Sequence, residues 1–166
     1  MISNEIREIL ALTCSALNKY DVEYMLIGGT AVGFYGYQRI SGGYAPGFND
    51  LKHDLGFWYN PTTGNYYNLV QALKDLDIET ESLENLIFDP KRTYLKIPHK
   101  GFKTEFLPQM SGLDSFSRSI KTAKKVNIDN NDILIIGYDD LIKNKKAVNR
   151  TIDKTDIIML DKLNKD

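Results

Sequence analysis

The chain has 166 residues, 42% of them apolar and 26% charged, enough for one domain to bury a core without disulfides or a structural metal. Its 21 Lys+Arg against 22 Asp+Glu leave a formal charge of -1, so no global field recruits nucleic acid or an anionic membrane. A single cysteine, Cys14, excludes an intramolecular disulfide and leaves too few ligands for a structural zinc site.

Ser3 or Asn4 caps a predicted first helix, whose stripe Ile6, Ile9, Leu10, Leu12, Thr13 and Leu17 has helical spacing and ends near Asn18-Lys19. Cys14 lies within it and reads as a buried core thiol. Val22 to Ile27 is a short, nearly continuous apolar strand, as expected where both faces are covered. Gly28-Gly29 breaks it, and Thr30 to Tyr37 turns as a short helix before Arg39. Residues 41–52 hold three glycines and a proline and read as a loop, with residues 42–51 expected to close over a ligand.

Lys52 or His53 opens a second strand that ends at Asn60-Pro61, and Thr62 or Thr63 caps a helix marked by Tyr66, Leu69, Val70, Leu73 and Leu76. Leu83 to Asp89 has no clear period. Thr93–Ile97 and Phe102–Leu107 flank Pro98-His99-Lys100-Gly101 and read as a β-hairpin. The next secure strand is Asp132–Ile136, followed by helices over 139–148 and 151–163. Strands alternating with helices, with a hairpin among them, predict an α+β fold (α/β-like) with a central mixed sheet and a helical C-terminus. One domain over 1–166 is expected, its core at about 1–110 and a helical part at about 111–166. Met1–Glu5 has no basic region feeding an apolar one, and no run approaches about 18 apolar residues. The expectation is a cytoplasmic protein with no membrane partner.

Three groups of residues can carry chemistry. Gly28-Gly29 ends a buried strand and leads into a helix, so the backbone is open to an anion, and Thr30 adds a hydroxyl. The pair is neither a Gly-x-Gly-x-x-Gly fingerprint nor a P-loop. Asp54 and Glu105 sit on separate apolar strands. If those strands are neighbours, like charges face one another and call for a cation, most simply Mg²⁺ or Mn²⁺. Arg39 and Lys52 flank the glycine-rich loop and are candidates to neutralise a triphosphate. Lys143, Lys145, Lys146 and Arg150 form a basic strip near a helix C-terminus, from which Lys146 is the candidate for nucleotide contact.

On these residues the chain resembles the nucleotidyltransferase superfamily, specifically the small bacterial proteins grouped with AbiEii/AbiGii-type toxins. Tyr24–Val32 resembles the family's strand and glycine-glycine motif, and Phe34–Arg39 the aromatic, glycine and arginine that follow. Asp54-Leu55-Gly56 falls on its Asp-x-Asp strand, Glu105 where a third acid sits, and Asp139 through Arg150, Asp153 and Asp156 on its C-terminal helical signature.

The resemblance implies a nucleotidyltransferase fold that holds a nucleoside triphosphate with Mg²⁺ (or Mn²⁺) between the glycine turn and the acids. An NMP group would pass to a hydroxyl of RNA, protein or a small molecule. Asp54 then ligates metal, Glu105 shares the metal or activates the acceptor, and a cognate antitoxin or toxin is an expected partner. Two departures stand out. Gly56 replaces the second acid, with an expected loss of roughly 10²–10⁴ in rate, and the loop before the strand is long and glycine-rich. Asp50, in that loop, is a substitute candidate for the missing metal ligand. A non-catalytic binding or toxin–antitoxin protein on the same fold is the alternative.

Overall fold

A computed structural model describes residues 2–37 and 53–165. Arg39, Asp50, Lys52 and the loop over 42–51 lie outside the described residues.

The sheet has six strands in the order β3-β4-β2-β1-β6-β5. These are β1 (Tyr24–Ile27), β2 (His53–Tyr59), β3 (Leu95–Pro98), β4 (Phe102–Leu107), β5 (Lys124–Ile128) and β6 (Asn131–Ile135). β1 runs antiparallel to β2 and parallel to β6, and β2 runs parallel to β4. β3 and β5 are antiparallel outer strands beside β4 and β6. The sheet is therefore mixed, as the alternation of elements predicts.

One face carries Tyr24, Leu26, Leu55, Phe57, Tyr59 and Phe106, all buried. Phe57 stacks on Phe106 at 5.1 Å and meets the edge of Tyr24 at 5.6 Å. Helices α1 (Asn4–Lys19) and α3 (Thr63–Asp75) pack on each other, and the Tyr24 hydroxyl donates to Asn18 Oδ1 of α1 at 3.0 Å, which fixes α1 on this face. Both helices start where their caps predict: Ser3 Oγ accepts from Ile6 N, and Thr62 Oγ1 accepts from Asn65 N. Leu10, Thr13, Cys14 and Leu17 of α1 are buried, as their spacing requires.

Between β1 and β2 lies α2 (Gly28–Phe34), which begins at the glycine pair itself, two residues before the predicted start. The short helix α4 (Glu81–Glu84) precedes β3, and α5 (Phe116–Ser119) precedes β5. The chain ends in α6 (Tyr138–Val148) and α7 (Thr151–Leu163). None of the described helices is long and apolar enough to cross a membrane.

Alternation along β2 and β4 sends Asp54 and Gly56, with Lys103 and Glu105, to the face opposite the Phe57 cluster. That face holds the charged groups.

Candidate functional site

A cleft of about 470 Å³ opens where β1 gives way to α2, walled by strand residues on one side and by α6 and α7 on the other. Gly28 and Gly29 form its floor at the end of β1, and Asp54, Gly56 and Glu105 project from the sheet. Asn144, Lys145 and Arg150 close it from the helical side. Gly28 has φ +68, and a Cβ added there would meet nothing within 4 Å, so its backbone conformation, not crowding, requires glycine.

Asp54 and Glu105 do lie on neighbouring strands. Their register pairs Asp54 with Lys103 and Gly56 with Glu105. The Lys103 ammonium stands 3.5 Å from Asp54 Oδ2 and 3.7 Å from Glu105 Oε1. The cation that two facing carboxylates call for is thus supplied by the chain itself. The phenol of Tyr94, just before β3, has its pKa raised by burial first and then by the nearby carboxylates of Glu105 and Asp54. Lys96, opposite Glu105 on β3, is exposed and lies 5.5 Å over the Tyr94 ring.

These groups bear directly on a divalent ion. Two carboxylates on one face, already attending to an ammonium, fit a single hard cation such as Mg²⁺ or Mn²⁺. They do not make a two-ion set. Gly56 supplies no oxygen, and among the described residues no group of three His, Cys, Asp or Glu side chains could hold a metal.

The helical wall is built on buried charge. Lys145 Nζ lies 3.2 Å from Asp153 Oδ1 and 2.8 Å from Asp156 Oδ2, all three residues buried. Arg150 caps α7 and meets the same Asp153 through Nε at 2.8 Å and Nη2 at 3.1 Å, while its backbone N–H donates to Oδ2 at 3.0 Å. Burial alone would raise the Asp153 pKa, but the Arg150 side-chain and backbone hydrogen bonds and the Lys145 charge hold it below the ordinary value. Arg150 stays 64% exposed, so its guanidinium is anchored and still faces the cleft.

The remaining candidates are distributed unevenly. Thr30 is buried one residue beyond the glycine pair and does not line the cleft. Lys146 is exposed and does not line it, whereas its neighbour Lys145 forms part of the wall. Reading the basic strip as a set hid this difference. The signal was available: Lys145 follows Leu141 by four residues, on the buried side of α6. Lys103 was missed for another reason, since its role depends on the β2–β4 register.

A larger hollow of about 780 Å³ lies at the other end of β1, among Asn18, Tyr24, Asn60, Phe116, Asn131 and Asp132. Its polar groups satisfy one another: Asn18 Nδ2 donates to Asp132 O at 2.9 Å, Asn127 Nδ2 to Asp132 Oδ1 at 2.9 Å, and Asn60 Nδ2 to Glu23 Oε2 at 2.6 Å. Size favours this hollow, but converging unlike charges favour the cleft. No family model matches the chain, and no curated protein matches it either.

Proposed function

We propose that the cleft binds a nucleoside triphosphate and that the chain is a nucleotidyltransferase-type protein, passing an NMP group to a hydroxyl of RNA, protein or a small molecule as the bond between the α- and β-phosphates breaks and pyrophosphate leaves. The observation that carries this reading is the meeting, in one cleft, of an open glycine backbone, two carboxylates on adjacent strands and an anchored guanidinium. The volume of about 470 Å³ lies in the range of small-molecule sites.

In this reading the Gly28-Gly29 backbone approaches the phosphates closely because no side chain intervenes. Arg150 neutralises phosphate charge from the opposite wall, pre-aimed by its three bonds to Asp153. Asp54 and Glu105 would hold a Mg²⁺ or Mn²⁺ ion, which when bound supplies positive charge to the phosphates. Whichever carboxylate keeps a free oxygen accepts the proton of the acceptor hydroxyl.

Calorimetry with ATP, GTP, CTP and UTP, each with and without Mg²⁺ or Mn²⁺, tests the proposal. Micromolar binding of at least one nucleotide, lost in Asp54→Ala and weakened in Arg150→Ala, is expected. No heat with any nucleotide would sink it.

A second reading, a non-catalytic nucleotide-binding partner of a toxin–antitoxin pair, draws on Gly56. Ile27 packs over the glycine where the second acid of the resembling family would sit. Binding without any transfer of labelled nucleotide to RNA, protein or itself favours that reading.

A further inference from the structure

Lys103 belongs to no part of the resemblance, yet its ammonium is the only described group in ion-pair contact with both cleft carboxylates. The register explains why. Lys103 is the cross-strand partner of Asp54 and stands two residues before Glu105, so all three side chains rise from the same face. Gly56 occupies the fourth position of this small square. Compared with a strand pair bearing an acid at 56 and no lysine, the Gly56 and Lys103 combination shifts the local formal charge by two positive units. That is the charge of one divalent ion.

We propose that Lys103 is a tethered substitute for a divalent cation and sets the metal requirement of the cleft. It offsets one of the two charges of Asp54 and Glu105 in the free protein, makes the pair a poor metal site alone, and yields to an ion only when that ion arrives with polyphosphate. Lys103 is one-third exposed, so the ammonium has solvent to move into. The two contacts of 3.5 and 3.7 Å are partly solvated and exchangeable. This proposal deepens the nucleotide reading and rests on it only for the arrival of the ion with polyphosphate.

The test is Mn²⁺ binding without nucleotide, followed by the paramagnetic resonance signal of free Mn²⁺, for the unsubstituted protein, Lys103→Met, Lys103→Met/Asp54→Asn and Lys100→Met. Removing one unit charge beside the carboxylates is expected to tighten Mn²⁺ binding by about tenfold or more. Asp54→Asn in the same background should reverse the gain, and Lys100→Met, in the exposed hairpin turn, should leave binding unchanged. A folded Lys103→Met protein that binds Mn²⁺ no more tightly than the unsubstituted one overturns the proposal.

A second measurement needs no substitution. Acetylation of Lys103, read by peptide mass, should accelerate relative to Lys100 when Mn²⁺ and ATP are added together, because the displaced ammonium becomes free. An unchanged Lys103 to Lys100 ratio at saturating Mn²⁺ and ATP likewise overturns it. The nucleotide-free titration separates the two ideas. A gain of Mn²⁺ binding in Lys103→Met with no ATP binding in either protein removes the nucleotide reading and keeps the tethered cation.

Discussion

Ile27 and Gly56 are registered partners across the antiparallel β1–β2 pair, and a Cβ placed on Gly56 would come 3.2 Å from Ile27 Cγ1. The glycine is therefore both the absence of a carboxylate and the room that Ile27 uses. Any side chain at this position has to move Ile27 by a few tenths of an ångström, and Ile27 borders the cleft, where one side is open.

Gly56→Asp should strengthen Mg²⁺-dependent nucleotide binding, since its carboxylate joins Asp54 on one strand face. Overpacking costs about 1–3 kcal/mol. The crowding shows in a double-mutant cycle: Gly56→Ala should be less costly in an Ile27→Ala background than in the unsubstituted chain. Chemical denaturation of the four proteins checks the coupling, and calorimetry checks the binding. A folded Gly56→Asp protein with unchanged nucleotide binding would mean that the site lacks more than one ligand.

Lys145→Met nearly preserves volume and removes the ammonium between Asp153 and Asp156. Breaking a buried ion pair from one side typically costs about 3–5 kcal/mol. Urea denaturation should show a loss of that size, against little change for Lys146→Met on the exposed side of α6.

Asp153 gives the network a pH signature. Its folded pKa lies below the ordinary 3.8, so its stabilising contribution is fully present above that value and is lost as pH falls through the folded one. Stability measured by denaturant titration should drop on acidification below pH 3.8. Asp153→Asn should be less stable at neutral pH and show a shallower drop in the acid range.

Cys14 is buried, and burial pushes its thiol up to about 12. At about pH 8 the folded protein should react with a thiol reagent only as fast as α1 opens, while denaturant exposes the thiol to full reaction. Immediate labelling of the native protein would contradict the packing of α1 on the sheet.

Much of this fold was legible in local patterns. The strand at β1, the caps Ser3 and Thr62, the β3–β4 hairpin and both C-terminal helices follow from spacing that depends only on near neighbours. β5 did not, because most of Lys124–Ile128 is exposed at a sheet edge and lacks an apolar face. Its turn still left a mark: Asp129 and Asn130 both adopt positive φ, at 49 and 65, as a tight hairpin demands of such residues. The sequence argument for a cation rested on the condition that the strands of Asp54 and Glu105 are neighbours, and the sheet meets that condition. The lysine was only half legible: its two-residue spacing puts it on Glu105's face, but its place opposite Asp54 depends on the β2–β4 register.

The position of β6 has a consequence for how the chain is made. β1 has β2 on one side and β6 on the other, so an early strand waits for one near the C-terminus before its second edge is paired. Until Ile135 has emerged from the ribosome, a nascent chain can assemble the glycine turn and both acids yet still present an open hydrogen-bonding edge along buried residues. Synthesis arrested before that point would leave a sticky intermediate, not a smaller working cleft.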